Sequence, residues 1–150
     1  MAHHPFIVHL LEDHEKQRSI AGRLKEAEQS KVRSSLRKEM SDELLPHMAG
    51  EEASIFAYIR DSDDAKAAEH ALEALQEHHV GRLVLRELAD LSLDSDVFNA
   101  KAAVLSEINE HHMKEEEGGH FPWIEKHASK EELDELFEQY EAAEKREKRG

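Results

Sequence analysis

Apolar residues recur along almost the whole chain at steps of three, four and seven, the spacing of one face of a helix. One stripe is Ile7, Leu10, Leu11, His14, Ala21, Leu24, and a second is Leu36, Met40, Leu44, His47, Glu51, Ser54, Tyr58. A third is Ala71, Leu75, His78, Leu85, Leu88, and a fourth is Phe98, Leu105, Ile108, His112, Glu116. Turn and capping residues separate them: Gln29-Ser30, then Asp61 to Asp64, then Ser92 to Asp96. No break is long enough to divide domains, so residues 1–150 read as a single domain with a bundle core at about 6–126. Short connections between helices of about 20–28 residues predict antiparallel neighbours. The expected fold is all-α, an up-down-up-down four-helix bundle. Ser129 and Glu132 have capping-box spacing, and Leu133, Leu136, Phe137 and Tyr140 form one apolar edge. They predict a short additional C-terminal helix over about 130–145, ahead of a charged, fraying tail at 146–150.

Two places should disturb the helices. Pro46 stands inside the second stripe and predicts a kink near Asp42. Gly118-Gly119 and Pro122 follow Glu116 and either end that helix or adjust the geometry around it.

Composition narrows the chemistry. The 34 acids against 20 bases give a net charge of -14, a field that repels nucleic acid and anionic membrane. No apolar run approaches the ~20 residues of a membrane span. Met1 to Pro5 lack the basic and apolar segments of a signal peptide, so a cytoplasmic location is expected. The chain has no cysteine, which excludes a thiol nucleophile, a zinc finger and an iron–sulfur cluster. It has 12 histidines, and histidine with surplus carboxylate is the composition of a metal site built from N and O ligands.

The chain also repeats itself at an offset of 64 to 65 residues. Asp13-His14 matches Glu77-His78. His47-Met48-Ala49-Gly50-Glu51-Glu52, with Phe56 following, matches His112-Met113-Lys114-Glu115-Glu116-Glu117, with Phe121 following. His111 and Glu115 share the His-x-x-x-Glu spacing, but only His112 keeps the nine-residue offset to the aromatic. Each half thus supplies a lone histidine and a His-x-x-x-Glu pair on one helix face. Packed together, the halves gather His14, His47, His78, His112, Glu51 and Glu116. Buried carboxylates without partners are costly. Two divalent cations, each with two histidines and both glutamates bridging, remove that cost. Iron suits this mixed set with open positions, and manganese and zinc accept the same ligand types.

The other histidines fit the pattern less well. His3, His4 and His127 lie near segment ends and are expected exposed. His9, His79 and His111 fall off the inward stripes, and His70 lies two turns from His78, towards a bundle end. His120 lies one turn beyond Glu116, as a donor behind the ligands or a third nitrogen ligand. Tyr58 lies on the ligand stripe, either packing in the core or bonding a bound oxygen species. A ferritin-like site needs Glu-x-x-His on two helices, and only Glu117 to His120 matches, so that reading fails.

The order His14, His47-x-x-x-Glu51, His78, His112-x-x-x-Glu116 resembles the hemerythrin-like HHE cation-binding family over about residues 6–126. The resemblance implies a four-helix bundle around two iron ions with bridging carboxylates and a solvent-derived oxo or hydroxo bridge. Oxygen-carrying hemerythrins use a fifth histidine on the third helix. Here Ala74 and Arg82 flank His78 by one turn, and the last pair is His112-x-x-x-Glu116 rather than His-x-x-x-x-Asp. The sequence is more similar to the H-HxxxE-H-HxxxE branch, which includes iron-centre repair proteins and bacterial proteins with proposed peroxide or nitric oxide activity.

Four functions compete: reversible binding or sensing of O2 or NO, an oxidoreductase acting on peroxide or NO with an electron donor, iron storage or delivery, and a metal used only as a staple. A bundle of this length needs no staple. Two histidines per metal leave an open position on each, which tilts the expectation towards reaction with a diatomic or peroxide ligand.

Overall fold

The computed structural model describes residues 2–150, and all of its regular structure is helical. α1 spans Pro5–Leu24, α2 Ser30–Ala53, α3 Ile55–Arg60, α4 Ala65–Asp90, α5 Phe98–Glu115, α6 Phe121–His127 and α7 Lys130–Arg149. A single π-helical stretch, Glu116–His120, joins α5 to α6. Among the described residues no helix is long and apolar enough to cross a membrane.

The starts follow from local chemistry. Pro5 opens α1, and the His4 ring accepts the Phe6 N–H at 3.0 Å. His4 was expected exposed, but this cap and a 2.7 Å contact to Asp134 leave its side chain 9% exposed. Asp64 caps α4 through Ala67 N–H, and the Ser129–Glu132 capping box opens α7. α7 extends to Arg149, past the expected 145.

α2 runs from Ser30 to Ala53 with Pro46 inside it, and it is interrupted at Ser54, with φ −122° and ψ −91°. The Ser54 hydroxyl donates to Gly50 O at 2.7 Å. Gly118-Gly119 do not end the other helix, which widens into the π stretch and continues to His127. Ser54 and Gly119 are 65 residues apart, so both halves are disturbed at the matching place, just after the glutamate.

α1 packs on α2 and α5, and α4 packs on α5 and α2. The apolar core divides into two clusters. One includes Phe6, Leu10, Ile55, Phe56, Phe121 and Tyr140, and the other includes Ile20, Met40, Leu44, Leu85, Phe98 and Leu105. The buried polar residues lie on the helices between them. α7 is not peripheral: it packs along α2, and Tyr140 is fully buried.

Candidate metal centre

All six predicted residues are buried, with Glu51, Glu116 and His14 at 0% exposure. They fall into two overlapping groups whose donor atoms lie within 4.8 Å of one another: His14, His47, Glu51 and Glu116, and Glu51, His78, His112 and Glu116. Each group takes both histidines from one half of the chain. Both groups share the two glutamates.

The four Nε2 atoms face the carboxylates. His14 Nε2 is 2.9 Å from Glu116 Oε1, and His112 Nε2 is 3.3 Å from Glu116 Oε2. His47 Nε2 and His78 Nε2 each lie 3.3 Å from Glu51 Oε1. His78 Nε2 and His112 Nε2 are 2.9 Å apart.

The four Nδ1 atoms point outward, each to its own carboxylate. His14 meets Glu117 at 2.7 Å, His47 meets Asp13 at 3.0 Å, His78 meets Glu52 at 2.8 Å and His112 meets Glu77 at 2.8 Å. An imidazole facing a carboxylate donates its N–H there, which fixes the proton on Nδ1 and leaves Nε2 bare. The repeat governs this outer ring. Asp13 and Glu77 precede the lone histidines and hold the paired histidine of the same half. Glu52 and Glu117 follow the paired glutamates and hold the lone histidine of the other half. Arg82 clamps Glu52 at 2.7 and 3.0 Å, and Arg18 reaches Glu117 at 3.0 Å.

This arrangement leaves the centre short of protons. Both oxygens of Glu51 and of Glu116 are buried without a hydrogen-bond donor, as is His14 Nε2. Bare nitrogens cannot donate to carboxylates, and the cost of such burial is several kcal/mol per ion. Two divalent cations supply the missing positive charge and take imidazole nitrogen and carboxylate oxygen as ligands, so the donor set fits them. Protons are the alternative. Burial opposes charge on His47 and His112, but Glu51 and Glu116, joined by Asp13 at His47 and by Glu77 at His112, outweigh it and hold both well above the ordinary range. Burial likewise opposes charge on Glu51, and the surrounding histidines hold it well below the ordinary range.

Tyr58 does not join the centre, since its hydroxyl donates to Glu132 at 3.2 Å. The tyrosine at the site is Tyr140 of α7, which donates to Asp13 Oδ2 at 2.8 Å and lies 3.0 Å from His47 Nδ1. Sequence periodicity gives Tyr140 only as apolar edge. The available signal was Gly50, a mid-helix glycine where the other half has Glu115. A Cβ at Gly50 would lie 2.5 Å from the Tyr140 ring.

His120 is buried but belongs to neither group; its ring meets Phe56 edge-on at 5.2 Å. His111 lies outside the centre, 65% exposed and 2.7 Å from Glu115. His3 contacts Glu125 at 3.0 Å and is exposed, as expected. His127 stacks on Trp123 with centroids 4.1 Å apart.

No curated protein and no solved structure matches the chain. The family model described as hemerythrin HHE cation binding domain matches residues 6–124, the span that holds all six residues of the centre. The chain belongs to the hemerythrin HHE cation-binding domain family.

Proposed function

We propose that the protein is a non-haem di-iron protein, an up-down-up-down bundle whose carboxylate-bridged centre binds and reacts with a small diatomic or peroxide ligand. The observation that carries this reading is the sharing of both buried glutamates by two His2Glu2 groups. His14 and His47 would hold one ion, His78 and His112 the other, and Glu51 and Glu116 both. A pair of ferrous ions there would supply two electrons and neighbouring open positions to a small ligand.

The chain's own residues prepare the site. Asp13, Glu52, Glu77 and Glu117 fix the ring orientations and raise the basicity of the Nε2 atoms. The two apolar clusters keep bulk water away from the carboxylates. The Tyr140 hydroxyl keeps its proton: burial and the Asp13 carboxylate both push its pKa far up. It therefore acts as a hydrogen-bond donor to Asp13.

The test is the absorption spectrum of the reduced, iron-loaded protein before and after addition of O2, NO or peroxide. Irreversible oxidation, or catalytic loss of peroxide or NO, supports reaction chemistry. Spectra that return on removal of the gas make the protein a reversible binder. No spectral response to any of the three contradicts the proposal.

A further inference from the structure

One histidine on α1 belongs to neither metal group of the centre and has no counterpart in the repeat. His9 precedes His14 by five residues, and the matching place in the other half holds Glu73. His9 fell off the inward stripe because it serves the face that α7 covers. Its ring stands against Phe137 and Tyr140 of α7, with centroids 5.3 and 5.5 Å away. Nε2 is buried there and has no hydrogen-bond partner. Asp13 of α1 and Glu144 of α7 face it, and one donor atom from each of the three residues lies within 4.8 Å of the others.

Helical register assembles this trio. His9 and Asp13 are one turn apart on α1, as are Tyr140 and Glu144 on α7, so the docking of Tyr140 on Asp13 brings Glu144 to the same place. His9 Nε2 lies 3.5 Å from Asp13 Oδ2, yet the two form no hydrogen bond. Two ligands held at about 2.1 Å by one tetrahedral ion stand about 3.4 Å apart. The separation of 3.3 Å from His47 Nε2 to Glu51 Oε1 in the centre is of the same kind. Lys148, 3.8 Å from Glu144, is the nearest cation, and an exposed pair of that length contributes little.

We propose that His9, Asp13 and Glu144 form a further divalent-cation site, separate from the inner centre, that pins α7 to α1. One imidazole and two carboxylates suit zinc, manganese or ferrous iron. An ion there gives the orphaned Nε2 a partner and offsets the two carboxylate charges. Three protein ligands leave further positions to water, so the site holds its ion less tightly than the inner groups of four and fills after them. It is built from α1 and α7 alone and does not depend on what occupies the centre. The other outer group, Glu77, His111 and Glu115, lacks the orphaned nitrogen: His111 is 65% exposed and pairs with Glu115 at 2.7 Å.

The experiment titrates the metal-free protein with Zn2+ by calorimetry at neutral pH, alongside His9→Phe, Glu144→Gln and His111→Ala. Phenylalanine keeps a ring against Phe137 and Tyr140, and glutamine keeps the volume of Glu144, so both chains should fold. The expected result is a weaker binding step after the tight ones in the unaltered protein and in His111→Ala. That step should be absent from His9→Phe and Glu144→Gln, with their tight steps unchanged. Excess Zn2+ should also raise the thermal midpoint of the unaltered protein further than that of Glu144→Gln. The proposal is overturned by an unaltered protein without the weaker step, by its persistence in His9→Phe or Glu144→Gln, or by its loss in His111→Ala. Absence of the tight steps from the unaltered protein would refute the inner two-metal centre, and a remaining step that needs both His9 and Glu144 would still support this site.

Discussion

Glu117 Oε2 lies 2.7 Å from His14 Nδ1, although the two residues belong to opposite halves of the chain. Its counterpart, Glu52 to His78 at 2.8 Å, crosses in the other direction. Each crossing carboxylate is gripped by an arginine one turn after the histidine it serves, Arg18 for His14 and Arg82 for His78. The halves are thus tied to each other through the groups that orient the histidines.

Removing a crossing carboxylate should therefore loosen metal rather than unfold the chain. Glu117→Ala and Glu52→Ala should each weaken metal binding by about 10- to 100-fold, the usual effect of losing a partner behind a ligating histidine. Zinc titration of the metal-free protein against a competing chelator measures this. Unchanged affinity in both variants would show that the outer carboxylates do not orient the ligands.

Tyr140→Phe removes one buried hydroxyl and leaves the ring packing in place. The loss of its bond to Asp13 should cost about 1 kcal/mol, or about 2–4 °C in thermal midpoint for a chain of this size. Asp13 would keep His47, so metal should still bind. A midpoint equal to that of the unaltered protein would mean that water replaces the hydroxyl at no cost.

Gly50→Ala probes the docking of α7. Its Cβ would lie 2.5 and 2.6 Å from two Tyr140 ring carbons, so the ring must move or α7 must lift. The expected cost is about 1–3 kcal/mol in denaturant unfolding, typical of overpacking. Gly22→Ala is the control: its Cβ meets nothing within 4 Å, and it should stabilise the helix by about 1 kcal/mol. Equal effects from the two substitutions would contradict the close approach of α7 to α2.

The protein stripped of metal should lose stability as pH rises. His14, His47 and His112 have folded values raised above the ordinary 6.5, because their carboxylate neighbours outweigh burial. Their contribution is complete below about 6.5 and is lost as pH climbs through the raised values. Glu51 has a value well below the ordinary 4.5, so its contribution is present above 4.5 and lost as pH falls through the depressed value. The stripped chain should melt at a higher temperature near about pH 6 than near about pH 9. Metal competes with the same protons, so the stabilisation it adds should grow over that interval. A melting temperature that rises from about pH 6 to about pH 9 without metal would contradict the protonation scheme.

The helices and the gathering of the six buried residues were legible in the sequence because both obey local rules. The stripes that hold His14, His47, His78 and His112 have helical periods, and the offset of 64 to 65 residues chose His112 over His111. Family membership followed from the same residues. The outer ring was written in the repeat as Asp13, Glu77, Glu52 and Glu117, but which histidine each one serves depends on how the halves pack, and no local spacing encodes that. Tyr140 was hidden for the same reason, since its role depends on α7 docking across the bundle. Tyr58 packs against the core, one of the two readings its stripe allowed, and its hydroxyl goes to Glu132 of α7. Pro46 stands inside α2, which remains one helix from Ser30 to Ala53.

The central claim is that Glu51 and Glu116 each serve two metals at once. Iron analysis combined with electron paramagnetic resonance of the oxidised protein tests it most directly. Two irons per chain, magnetically coupled and therefore silent in the ferric state, are expected, with both irons lost together in Glu51→Ala or Glu116→Ala. Two uncoupled ferric signals, or two tightly bound irons retained in either variant, would contradict a centre built on shared glutamates.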